Sequence, residues 1–240
     1  MLKFYTWKVG RKVNLRLNKL ATMVDQDARI ADIGTDHAYL PIELVKSRKV
    51  NFAIASDIGK GPLDNAKQDI KEAGLEGKIE TRLGAGLETI STNDNIDTVV
   101  IAGMGGNLMS QILNDALVNK KMSFDTLILE PNVGEYGVRK WLMQHSYQIV
   151  DEQIVAEAGH TYELIKAKKT ESNILLTEKE LYFGPILIKT KNQTFTNKWI
   201  GQLKYQQNLL VNLNKAKNKD MSHIKQVQEQ IEMIKGELND

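Results

Sequence analysis

QIVDEQIVAEAGHTYELIKAKKT, residues 148–170, is the stretch that decides the fold. Two runs of strand-forming residues meet at Ala158–Gly159–His160, which reads as a β-hairpin and not as another crossover helix. Upstream the chain keeps a different rhythm. ARIADIG (28–34), NFAIASDI (51–58), KIETRL (78–83), NIDTVVIAG (95–103) and DTLILEP (125–131) read as strands of a parallel sheet, and the near-continuous apolar run of 95–103 suits one buried on both faces. Helical stretches follow four of them: YLPIELVKSRKV from Tyr39, GPLDNAKQDIKEAGL, GNLMSQILNDALV and GEYGVRKWLMQHSY. The run at 78–83 is followed instead by a short turn at GLETI.

Successive βα units closed by a hairpin predict an α/β fold with an antiparallel last strand on an otherwise parallel sheet. A plain dinucleotide-binding fold continues with parallel units. The pattern instead suits the Rossmann-like, seven-stranded sheet of class I S-adenosylmethionine (SAM)-dependent methyltransferases. Further on, Phe195, Trp199, Leu203, Leu210 and Leu213 recur at helical spacing. Ile224, Val227, Ile231, Ile234 and Leu238 alternate threes and fours, a heptad seam. KAKNKDMSH (215–223) separates the two sets and reads as a turn. The expected division is a first domain over residues 1–170, opened by a basic N-terminal helix, and a C-terminal α-helical coiled-coil hairpin over 171–240.

Composition narrows the chemistry. The chain has 240 residues, 42% hydrophobic and 26% charged, and no cysteine, which excludes disulfides, thiolate metal sites and cysteine nucleophiles. None of its four histidines is spaced from another as a zinc pair would be, so no metal is expected. No apolar run approaches the ~18 residues of a membrane span, and the chain reads as cytoplasmic. The net charge of +2 is unevenly spread. Residues 1–24 carry +6, 25–165 carry −9, 166–219 carry +8 and the last 21 carry −3. Two basic segments around an acidic centre are either solvated helix faces or the footprint of a polyanion binder.

Ligands of open α/β sheets sit beyond the carboxyl ends of the strands. DIGTDHAYLP (32–41) occupies the first such end. Asp32 can accept from a ligand ammonium group, and Gly34 permits a tight turn. Asp36 stands where a dinucleotide fingerprint has its second glycine; a carboxylate facing a pyrophosphate is repulsive, so the loop argues against NAD and for a cationic ligand. The sulfonium and ammonium groups of SAM fit. The plainer alternative is a strand-to-helix turn capped by Asp36. Asp57 ends the second strand and can bind ribose hydroxyls in either kind of fold. Gly84-Ala85-Gly86 falls where the cofactor adenine would lie, with Ala85 offering only its backbone. AGMGG (102–106) would border the transferred methyl and the substrate, its glycines letting a flat base approach. EPN (130–132) lines the same cleft, with the Asn132 amide offering donor and acceptor. Of the four histidines, His37 is the one this topology puts in the cleft.

The set DIGTDHAYLP, SDIGKGP, RLGAGLE, IAGMGG, LILEPN and AGHTYEL, in this order, resembles the bacterial TrmK family of SAM-dependent tRNA (adenine(22)-N1)-methyltransferases. The resemblance runs from about Asn14 to the end. It implies that SAM is bound at Asp32, Gly34, His37, Asp57, Gly84, Ala85 and Ala102, Gly103 and Met104. It implies that the target adenine enters near Asp36, Tyr39, Gly105, Gly106 and Asn132, with Asp36, Tyr39 and Asn132 as the catalytic set. Basic residues of the N-terminal helix, Arg11, Arg16 and Lys19, would grip the tRNA backbone. Relatives often carry Asp or Asn where this chain has Ala85, and Gln where it has Glu130, which adds a negative charge near the cleft. Residues 1–12 extend beyond the family's usual start, either as an extra basic arm or through a misassigned start codon. The rival readings are a noncatalytic SAM-binding module whose hairpin recruits a protein, favoured by Ala85 and Glu130, and a small-molecule methyltransferase, disfavoured by the basic flanks.

Overall fold

The computed structural model describes residues 15–239; the expected arm at 1–12, with Arg11, lies outside them. The chain divides into two compact units, 1–176 and 177–240. In the first, the chain order is α1 (Leu15–Met23), β1 (Arg29–Ile33), α2 (Tyr39–Lys46), β2 (Phe52–Asp57), α3 (Lys60–Glu72) and β3 (Ile79–Leu83). Two 3-10 turns then lead to β4 (Thr98–Gly105), α4 (Gly106–Lys120), β5 (Thr126–Val133), α5 (Glu135–Gln144), β6 (Tyr147–Glu157) and β7 (His160–Lys169).

Among the described residues seven strands form one sheet in the order β3-β2-β1-β4-β5-β7-β6. β1 to β5 pair in parallel, whereas β7 runs antiparallel to both β5 and β6. The order reverses between β1 and β4, so the carboxyl ends of those strands flank the crevice where α/β folds take ligands. Central strands are apolar on both faces: Ile30, Ala31, Val99, Val100, Ile101, Leu127, Ile128 and Leu129 are all fully buried. The hairpin turn is two residues long, Ala158 and Gly159, with φ of 49° and 80°. Both positive values belong to a turn whose twist matches that of the flanking strands.

Two boundaries depart from the sequence reading. The helix expected to run through Val50 ends at Lys46, because Arg48 takes φ 59° and Lys49 N–H turns back to Leu44 O at 2.9 Å. β4 runs two residues further than expected, to Gly105, by pairing with β5 through register shifts on either side of Met104. The glycine loop is therefore the irregular end of a strand.

A buried ionic cluster fastens α5 to the hairpin. Arg139 Nε donates to Glu152 Oε1 at 2.8 Å and Nη2 to Glu163 Oε2 at 2.5 Å, all three side chains being fully buried. Burial would lower the Arg139 pKa, but Glu163 and Glu152 outweigh it and hold the guanidinium charged.

The second unit holds α6 (Glu178–Phe183), α7 (Leu187–Thr190), α8 (Gln193–Lys215) and α9 (Met221–Asn239). α8 and α9 pack on each other across a short connection, with Phe195, Trp199, Ile224, Val227, Ile231 and Ile234 buried as the spacing required. Leu203, Leu210, Leu213 and Leu238 are only half-buried. The seam also carries polar residues the apolar pattern concealed. Gln206 bonds Gln230 at 2.9 Å, and buried Glu237 receives Lys179 and Lys191 at 2.7 and 2.8 Å.

Candidate active site

The loop after β1 builds the first wall. Thr35 Oγ1 accepts from Ala38 N–H at 3.0 Å, and Ala38 itself is the N-cap of α2. Asp36 therefore caps nothing; its side chain is 69% exposed at the mouth of the cleft. Gly34 has φ 81°, and a Cβ there would overlap the Met104 methyl group, so this turn requires glycine. A cavity of about 290 Å³ lies between α1 and this loop, lined by Arg16, Asp32, Gly34, Asp36, Tyr39 and Ala102 among others.

Asp32 is almost fully buried at the end of β1. Burial, helped by the charge of Asp57 and opposed by the Thr35 hydroxyl, pushes its carboxyl up to about 6. On the neighbouring strand Asp57 Oδ1 accepts from Gly59 N–H at 2.6 Å, and Gly84 N–H reaches Asp57 O at 3.0 Å. Two carboxylates thus stand at the ends of adjacent strands, Asp32 lining the cavity and Asp57 beside it. That donor set fits a cationic nucleoside and would repel a pyrophosphate.

His37 Nδ1 lies 2.7 Å from Asp69 Oδ2, and its ring stacks on Tyr39 with centroids 4.9 Å apart. Asp69 was missed by the sequence reading. The available signal was its place on α3, where the spacing of Leu63, Ala66 and Ile70 puts an acid on the buried face. Asn132 Nδ2 donates to Gly103 O at 2.7 Å, so one of its donors holds the glycine loop rather than a substrate.

Three expected substrate residues, Gly106, Arg16 and Lys19, have surroundings that the sequence did not show. Gly106 is buried, and a Cβ on it would come within 2.5 Å of Gly134 O. Its missing side chain serves the packing of α4 on the β5–α5 loop, not an incoming base. Gly105, in contrast, faces open space. Arg16 is turned into the cleft, where its Nη1 donates to Glu130 Oε2 and it lines the cavity. Glu130 in turn is no loose charge in the cleft; its side chain is wholly buried and paired. Lys19 is half-buried on α1, outside the cavity lining. Ala85 leads into the 3-10 turn Gly86–Thr89 and has no polar side chain to offer. Among the described residues no group of three acids or histidines could hold a metal ion, and no helix is long and apolar enough to cross a membrane.

The sheet order, the paired strand-end acids and the glycine loop define a class I SAM-dependent methyltransferase. Residues 30–236 match the family model described as TrmK: tRNA (adenine(22)-N(1))-methyltransferase, and the chain belongs to that family. It is 34% identical over 230 residues to the tRNA (adenine(22)-N(1))-methyltransferase of Bacillus subtilis strain 168, covering 93% of this chain and 96% of the relative. A putative tRNA (m1A22) methyltransferase from Streptococcus pneumoniae, solved in complex with S-adenosyl-L-methionine, superposes with TM-score 0.85 and 34% identity, covering 95% of this chain and 100% of the other. TrmK of M. capricolum with S-adenosyl-homocysteine gives TM-score 0.84 and 31% identity, over 95% and 98% of the two chains.

The Asp32 environment carries a pH prediction. Its folded pKa of about 6 lies above the unfolded value of 3.8. The group's contribution to stability is therefore fully present below 3.8 and is lost as pH rises through about 6. That contribution amounts to about 3 kcal/mol. A cationic ligand needs the ionised form, so SAM affinity follows the opposite course. Below pH 6 the SAM Kd is expected to rise roughly tenfold per pH unit. Calorimetric titration between pH 5 and 8 checks this, and a flat Kd would remove Asp32 from the ammonium contact.

Proposed function

We infer that this chain methylates N1 of adenine 22 in tRNA, with the following division of labour among its residues. Asp32 meets the SAM ammonium group, Asp57 the ribose hydroxyls, and the Gly84–Ala85 backbone the cofactor adenine. His37, held by Asp69, and the turn at Gly34, with Ala102, Gly103 and Met104 opposite, close round the methionine portion. When bound there, SAM supplies an electrophilic methyl carbon to the in-plane lone pair of adenine N1.

No proton has to leave N1 before attack, so the protein's tasks are alignment and the exclusion of water. Asp36 faces the positive charge that develops on the purine. Tyr39, stacked on His37, offers a flat surface beside it. Asn132 fixes the loop under the reacting base through Gly103 O. A base edge inside a folded tRNA cannot reach this depth, so the nucleotide turns out of its stack to enter. Basic segments outside the cleft hold the tRNA by shape and charge. A tRNA substrate supports reading the chain as cytoplasmic.

The observation that carries this reading is the pair of strand-end carboxylates, Asp32 and Asp57, beside a cavity whose mouth displays the uncapped acid Asp36. Glu130, which with Ala85 spoke for a noncatalytic module, is paired with Arg16 and leaves the cleft open to a base. The test is transfer of labelled methyl from SAM to unmodified tRNA transcripts, followed by nucleoside digestion. Label is expected in 1-methyladenosine, disappearing when adenine 22 is replaced, with tRNA binding falling steeply as salt rises. SAM binding without any label in tRNA would overturn the assignment.

A further inference from the structure

Arg16 is held in an unusual way for a residue of a basic helix. Its Nη1 donates to Glu130 Oε2, and its guanidinium carbon lies 5.2 Å from the centre of the Tyr162 ring. Burial pushes the Glu130 pKa up, against the charge of Arg16 and the Gly103 N–H that faces it; Glu135 adds a weaker upward push. Among the described residues Glu130 Oε1 has no hydrogen-bond partner. A carboxylate removed from water this completely is unfavourable unless something depends on its geometry, since an apolar side chain of similar size would fill the space. What it fixes is the direction of Arg16. A guanidinium carries five N–H donors; one serves Glu130, and Arg16 also lines the cavity beside Asp36 and Tyr39.

The position of the pair narrows what those donors meet. Asp57 ends β2, whereas Glu130 belongs to β5, three strand steps away in the sheet. At ~4.8 Å per step that is about 14 Å. The guanidinium therefore stands on the side of the cleft opposite the ribose acid, where the incoming nucleotide passes.

We propose that Arg16 binds the phosphate of the target nucleotide as it turns into the cleft, and that Glu130 is a positioning residue that aims Arg16. The proposal rests on the methyl-transfer reading above. Its chemistry is an anionic oxygen on a guanidinium fork, which the SAM carboxylate could also supply, so the experiment separates the two.

The full-length chain and its Arg16→Gln, Arg16→Lys, Glu130→Gln and Arg16→Gln/Glu130→Gln variants are compared by Tm, by SAM Kd without tRNA, and by kcat and KM for tRNA over a salt series. In all variants the SAM Kd is expected to stay within about threefold of wild type, a change too small for a lost charge-assisted contact. Arg16→Gln lowers kcat/KM for tRNA on the order of a hundredfold and reduces the log–log salt slope by about one. Arg16→Lys restores the slope but not the rate, because a point charge lacks the fork. Glu130→Gln leaves the slope intact and lowers kcat/KM roughly tenfold, since the cation is present but no longer aimed. The double variant is no worse than Arg16→Gln alone.

A SAM Kd weakened tenfold or more in Arg16→Gln would overturn the proposal in favour of the cofactor carboxylate. Turnover that is unchanged in the single variants, or that recovers with Tm in the double one, would reduce the pair to a structural tie. Absence of tRNA methylation by the wild-type chain would overturn the underlying reading and the proposal together.

Discussion

Asp36→Ala is expected to lower kcat for methyl transfer on the order of 10²- to 10³-fold, with tRNA and SAM affinities within about threefold of wild type. The argument begins with what Asp36 does not do. It neither caps α2 nor pairs with a buried base; His37 Nε2, 3.6 Å away, is its nearest cationic candidate. Its exposure of 69% would make it a solvated surface acid in the free protein. In the proposed reaction the same carboxylate would face a purine that gains a full positive charge as the N1–methyl bond forms and the S–methyl bond breaks. Water is then excluded, and a fixed charge counts for far more than in solvent. Because adenine N1 carries no proton to remove, the effect belongs to charge and not to base catalysis. Asp36→Asn is therefore expected to be nearly as impaired as Asp36→Ala, although it keeps the shape. Single-turnover measurements at saturating tRNA and SAM isolate the step, and wild-type rates in the asparagine variant would end the electrostatic account.

The parts of this site that could be read from the sequence are those in which local chemistry declares itself. Short apolar runs bounded by turn signals read as strands, the central ones buried on both faces, and the Ala158–Gly159 turn announces antiparallel pairing. An acid at a strand end followed by a glycine is legible because the ligand rule for open sheets is local to that turn. The rest depended on partners far along the chain. Glu130 looked like an extra charge in the cleft, since nothing near it in sequence says that a residue 114 positions earlier will cover it. Asp69 and His37 stand 32 positions apart and meet because the loop between β1 and α2 lies against α3. Gly106 was misread for a related reason. Glycine signals that something comes close, but not whether it is a ligand or, as here, the Gly134 carbonyl. The early end of α2 had no glycine to mark it, because Arg48 adopts the positive φ itself.

Arg139→Met is expected to destabilise the first unit by about 3–5 kcal/mol, a fall in Tm of roughly 6–20 °C for a chain of this size. Methionine fills much of the volume, so packing is not the main loss. The loss is electrostatic: Glu152 and Glu163 would remain as two fully buried carboxylates with their shared cation gone. The consequence reaches the cleft through the sheet. Glu163 lies on β7, β7 pairs with β5, and β5 carries both Glu130 and Asn132, which hold Arg16 and the Gly103 carbonyl. Partial release of the hairpin should therefore lower kcat at temperatures where the protein still folds. A triple variant, Arg139→Met with Glu152→Met and Glu163→Leu, removes these three charges at once and is expected to recover most of the lost Tm, because apolar replacement of buried ionic groups together is often neutral or stabilising. Thermal unfolding of the two variants beside wild type decides the matter. A single variant that loses less than about 1 kcal/mol would mean that water reaches the glutamates, whereas a triple variant as unstable as the single one would place the defect in packing and not in unpaired charge.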